Sequence, residues 1–121
     1  MLRPIPASIL THSATLRQCT GVDVWQNPTF ADTELRRICV QPEHNTYIYN
    51  DNTSVTLSSI AFVDARLSSP RGFDFQAAQE TSEANGAPLE LIFNGRRYTV
   101  LEIDTLYDDT GKYHHTELWL K

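Results

Sequence analysis

Apolar residues along this chain fall into short runs separated by polar breaks, and the last third shows the pattern best. Leu89-Glu90-Leu91-Ile92-Phe93 leads into Asn94-Gly95, then into Arg96-Arg97-Tyr98-Thr99-Val100-Leu101-Glu102-Ile103. After Asp108-Asp109-Thr110-Gly111-Lys112 comes Tyr113-His114-His115-Thr116-Glu117-Leu118-Trp119-Leu120. Asn-Gly between two β-rich runs predicts a two-residue type I′ turn, because both positions need φ > 0. The second break predicts a longer turn with Gly111 in the left-handed position. The chain is therefore expected to end in a meander of three strands.

Upstream, 9–19 reads as a first strand, with Leu10, His12, Ala14 and Leu16 on one face and Ser13, Thr15, Arg17 and Cys19 on the other. Residues 20–32 hold Gly21, Asn27-Pro28 and Trp25 and read as a loop with a large apolar anchor. A second strand spans 33–41, with Leu35, Ile38 and Val40 as its apolar members, and Pro42 ends it. Residues 43–54 are polar apart from Tyr47-Ile48-Tyr49, and predict a loop or a short ribbon turning at Asp51-Asn52. A third strand covers 55–64, where Ile60 and Phe62 share one face and Leu57, Ala61 and Val63 the other. The one good helix candidate is 74–84: Asp74 caps it and Asn85-Gly86 stops it. Its apolar stripe is thin, Phe75 and Ala78, so it is expected on the surface or against a partner. About six short strands and one helix predict a mainly β fold, a small, partly open antiparallel β-barrel with one short inserted helix.

A length of 121 residues fits one domain, 1–121, with an extended N-terminal arm at 1–8, a polar loop at 41–54 and a helical insertion at 73–87. The net charge of −5 lacks the electrostatic footprint of a protein that grips nucleic acid by its phosphates. Cys19 and Cys39 do not make a disulfide framework and are expected to be free thiols. The start, Met1-Leu2-Arg3-Pro4-Ile5-Pro6, lacks the continuous apolar core of a signal peptide, and no run approaches a membrane span of about 20 apolar residues.

Catalytic and metal motifs are missing, so no enzyme activity and no cofactor is expected. His114 and His115 are neighbours on a strand and are expected to point to opposite faces, which argues against joint metal binding. Leu106 and Thr110 spoil 104–111 as a calcium loop, so it reads as a turn. Arg36-Arg37 and Arg96-Arg97 alternate faces and make no two-arginine fork. Trp25 and Trp119 read as core or loop anchors.

The order of signals carries more than any one of them. Pro4-Ile5-Pro6 with Leu10-Thr11-His12-Ser13 opens the chain, and Val22-Asp23-Val24-Trp25 follows. Then come Val40-Gln41-Pro42, Ala61-Phe62-Val63-Asp64, Phe93-Asn94-Gly95-Arg96-Arg97-Tyr98-Thr99-Val100 and His114-His115-Thr116-Glu117-Leu118. This collinear set resembles the minor capsid protein family of tailed bacteriophages and defective phage-like elements. The chain departs from the family's pattern at 73–88, where 76–87 reads as an insertion.

The resemblance implies a virion protein of the neck, made in the bacterial host cytoplasm. It would be a head-completion or stopper ring of the head–tail connector, with the adaptor above it and the tail terminator or tail tube below. Double-stranded DNA would pass through the channel without tight binding, and no membrane is involved. The resemblance also implies a channel loop at 41–54, with Glu43, His44, Tyr47, Ile48, Tyr49 and Asp51 as candidates. Arg3, Pro4, Ile5, Pro6, Trp25 and Phe75 are the candidate subunit-interface residues. A tail terminator or other neck protein, and a small β-barrel binding module for a soluble partner, are the alternatives.

Overall fold

The computed structural model describes residues 5–42, 46–48 and 54–121; for 46–48 and 55 only the backbone is described. The strands are β1 (His12–Val22), β2 (Pro28–Pro42), β3 (Thr46–Ile48), β4 (Ser54–Thr56), β5 (Ser59–Asp64), β6 (Glu90–Phe93), β7 (Arg96–Tyr107) and β8 (Tyr113–Leu120). One helix, α1 (Phe75–Ala84), lies between β5 and β6. Six strands form an antiparallel ring in the order β1-β2-β5-β8-β7-β6, and β6 pairs back on β1. β3 and β4 form a separate two-stranded ribbon.

The expected mainly β barrel is what the chain builds. Asn94 (φ 53°) and Gly95 (φ 76°) make the two-residue turn between β6 and β7. Gly111 (φ 83°) takes the left-handed position in the next turn. There the Asp108 carboxylate accepts from the Thr110 and Lys112 amides at 2.9 and 3.0 Å. The Thr110 hydroxyl and these amides hold the Asp108 carboxyl below its ordinary range.

Alternation fills the interior. Leu57, Ala61 and Val63 are buried, as are Val100 and Ile103 of β7 and Thr116, Leu118 and Leu120 of β8. On β2 the phase changes: Leu35, then Ile38 and Val40, all point inward. The shift is a bulge at Arg37, whose φ is 56°, and the β1 register jumps there from Ser13↔Arg36 to His12↔Ile38. His12 supports the irregularity, since its Nδ1 accepts the Val40 amide at 3.0 Å. Asp64 also shapes the backbone. Its carboxylate accepts from the Arg66 and Leu67 amides at 3.0 and 2.9 Å and forms the turn after β5. Cys19 and Cys39 are buried free thiols.

Three expectations need correction. The expected third strand, 55–64, is broken at 57–58 into β4 and β5, which belong to different sheets. The segment 20–32 is not a long loop: β1 and β2 continue to Val22 and Pro28, making a hairpin joined only by 23–27. α1 lies at the surface as expected, with Gln76, Ala77, Glu80, Thr81, Glu83 and Ala84 exposed, but its inner face is part of the core and not apart from it. Phe75 (5 % exposed) and Ala78 (4 %) belong to the core cluster.

The helix sits there because one seam of the ring is short. β6 pairs with β1 only from Thr15 to Arg17, and with β7 only from Arg96 to Thr99. Past those points the facing edges of β1 and β7 carry polar backbone groups that need partners. Side chains of α1 supply them. Gln76 Nε2 donates to the Ile103 carbonyl at 2.9 Å, and Gln79 Nε2 to those of Val100 and Leu101 at 3.3 Å. The Cys19 amide donates to Ser82 Oγ at 3.0 Å, Ser82 donates to the Ala87 carbonyl at 2.9 Å, and Asn85 Nδ2 donates to the Cys19 carbonyl at 3.2 Å. The expected cap holds: the Asp74 carboxylate accepts from the Ala77 amide at 3.0 Å.

Candidate functional site

The exposed apolar surface concentrates at the tip of the β1–β2 hairpin. Val24 is 86 % exposed, Trp25 80 %, Val22 56 % and Phe30 44 %. Large apolar side chains held this far into water make the tip the leading candidate for an interaction surface. The tip is built to hold them there. Asp23 Oδ1 accepts from the Trp25 amide at 2.8 Å and the Asn27 amide at 3.0 Å, while the Asp23 amide donates to the Asn27 carbonyl at 2.9 Å. Gln26 takes φ 66°, which completes the tight reversal.

The stem is fastened below the tip. Thr20 and Thr29 hydroxyls meet across the strands at 2.9 Å. Arg17 forms a two-pronged ion pair with Asp32, at 2.9 and 3.0 Å, and its guanidinium lies 5.4 Å above the Phe30 ring. The Arg17 hydrogen bonds hold the Asp32 carboxyl below its ordinary range and push the guanidinium up. The Asp32 carboxylate is exposed and the Arg17 side chain only half-buried, so the pair orients the hairpin more than it stabilises the fold.

A second feature lies across the barrel. An open pocket of about 370 Å³ is lined by Phe73, Phe75, Tyr107 and Tyr113, with Thr105 and Asp74 among its other walls. Phe73 and Phe75 meet edge to face, 4.9 Å between centroids. The Tyr113 phenol contacts the Thr116 hydroxyl, and partial burial pushes its pKa above the ordinary value. Tyr107 is 59 % exposed.

The histidines differ from expectation. Although neighbours on β8, His114 and His115 bring their Nδ1 atoms within 2.7 Å of each other, and His115 Nε2 lies 3.1 Å from Glu117 Oε2. Side-chain torsion overrides the alternation of Cα–Cβ directions. A contact of that length between ring nitrogens is a hydrogen bond with the proton on one of them. Among the described residues no three His, Cys, Asp or Glu side chains come together to hold a metal ion.

The other candidates are dispersed. Ile5 is half-buried, with its carbonyl accepting from Arg66 at 3.3 Å, and Pro6 is exposed ahead of a short 3₁₀ turn. Tyr47 and Ile48 lie in β3, whose backbone pairs with β4, so the ribbon alternative for this stretch is the one that forms. Arg3, Pro4, Glu43, His44, Tyr49 and Asp51 lie outside the described residues. No sequence signal singled out the pocket, because its walls come from three separate segments. No protein-family model matches this chain, and no curated protein matches it.

Proposed function

We propose that this chain is a structural component of the neck of a tailed-phage particle. It would be a stopper or head-completion protein that forms a ring, retains packaged DNA and offers the tail its docking surface. The observation that carries this reading is the braced hairpin tip with Val24 and Trp25 in water. A rigid apolar projection on a small barrel serves assembly with other proteins better than chemistry on a small substrate. The net charge of −5 agrees with a wall past which DNA slides, since few cations are present to release counterions from phosphates. The collinear motifs from Pro4-Ile5-Pro6 to Glu117-Leu118 point to the same family.

In this reading 41–54 faces the channel and the hairpin tip faces a protein neighbour. Electron microscopy of particles lacking this chain tests it. Filled heads without tails that leak DNA are the expected result. Normal tailed particles would end the reading, and complete tails of uncontrolled length would favour a tail terminator.

A further inference from the structure

We propose that Trp25 of one copy of this chain inserts into the aromatic pocket beside α1 of a second copy, a head-to-tail contact between unlike surfaces. The first surface is a knob. Trp25 is 80 % exposed, yet the Asp23 carboxylate fixes the turn that carries it, so little conformational freedom is lost on docking. The second surface is a hole. The pocket of about 370 Å³ is walled by Phe73, Phe75, Tyr107 and Tyr113, rings that offer an indole edge-to-face partners. Asp74 at its wall supplies a carboxylate toward which an indole N–H can donate.

Topology sets the two surfaces in a useful relation. β1 and β7 both run antiparallel to β6, so they run in the same direction as each other. The knob follows the end of β1 and the hole lies at the end of β7, which places both at one end of the barrel. In the ring order the β1–β2 pair stands opposite the β8–β7 pair. A contact from one side of a barrel to the opposite side of the next, at one level, repeats around an axis; heterologous contacts of this kind close into rings when the rotation permits.

A contact centred on one indole is far smaller than the roughly 1,200–2,000 Å² of a stable interface, so the association is weak and depends on concentration. The proposal rests on the ring reading above for closure; the pairwise contact is a property of the chain alone.

Sedimentation velocity over a rising concentration series tests it. Trp25→Ala removes the knob and Thr105→Trp fills the hole; Thr105 is exposed, and denaturant midpoints check that each variant folds. Wild type is expected to gain mass with concentration, and each variant alone to associate at least tenfold more weakly. An equimolar mixture of the two variants should form one-to-one pairs, because one keeps its hole and the other its knob. Tyr107→Ala removes an exposed wall of the hole without adding bulk, and should weaken association like Thr105→Trp. A mixture no better than either variant alone, wild-type association by Trp25→Ala, or no self-association of wild type would each overturn the contact. The particle experiment decides the neck reading separately, so the two fail distinguishably.

Discussion

Helix α1 and the β1–β2 hairpin tip exchange the places their sequences suggest. The helix has one large apolar residue, two glutamines and two glutamates, yet Phe75 and Ala78 enter the core. The tip has Val22, Val24, Trp25 and nearby Phe30, yet all of them stand in water. The difference is one of backbone satisfaction. The barrel leaves edges of β1 and β7 unpaired where β6 is too short, and those buried groups need donors and acceptors more than they need apolar bulk. Gln76, Gln79, Ser82 and Asn85 meet that need. The hairpin satisfies its own backbone through the β1–β2 ladder and the Asp23 turn, so it extends beyond the core without help.

The contrast breaks most visibly at Phe75. Phe75→Ala should destabilise the protein by about 3–5 kcal/mol, the cost of emptying a buried aromatic site. A denaturant titration reads it; a loss no greater than for a surface residue would show that the helix is peripheral after all. Ser82→Ala deletes the hydroxyl that bridges the Cys19 amide and the Ala87 carbonyl. It should cost about 1–3 kcal/mol, because a buried amide loses its acceptor. Faster hydrogen exchange at Cys19, with the β2–β5 amides unchanged, would locate that loss in the helix-filled seam.

Gly95→Val tests a seam made of strands alone. A β-branched residue at the φ of 76° found there should cost about 1–3 kcal/mol. An unchanged midpoint would mean the turn tolerates a shift that the β6–β7 register of Leu91↔Tyr98 does not suggest. The smallest effect belongs to Asp108. Its carboxyl sits below the ordinary value in the fold, so its contribution is present above the unfolded pKa and fades as pH falls through the folded one. Asp108→Asn should therefore lie below wild type at neutral pH, with the gap narrowing in acid. A gap that stays constant with pH would assign it to shape instead of charge.

Most of the barrel is legible in the sequence. Asn94-Gly95, Gly111 and the Asp74 cap are local signals, and local signals need no knowledge of the rest of the chain. Ala61 and Val63 share the buried face that alternation predicts, whereas Leu57, also buried, lies in the break between β4 and β5. The bulge at Arg37 is visible only as the spacing between Leu35 and Ile38, three where alternation gives two or four. What the sequence hides is non-local. The helix enters the core because β6 begins only at Glu90, and the length of one strand against its two neighbours is written in no single segment. The site divides the same way: Trp25 is a visible candidate, but its exposure follows from how far the β1–β2 ladder runs past the core. The Phe73–Tyr107–Tyr113 pocket has no local signature at all. Nor does alternation foresee that the His114 and His115 rings meet, since it fixes Cβ directions and leaves the rings free to turn.

The most direct test of the hairpin tip as an interaction surface uses its own indole. In a Trp119→Phe variant, Trp25 is the sole tryptophan. At the lowest measurable protein concentration its emission should be red and fully open to acrylamide quenching, as for a free indole in water, and it should become protected as concentration rises. Blue, poorly quenched emission at every concentration would mean that Trp25 packs within its own chain, and would contradict the account.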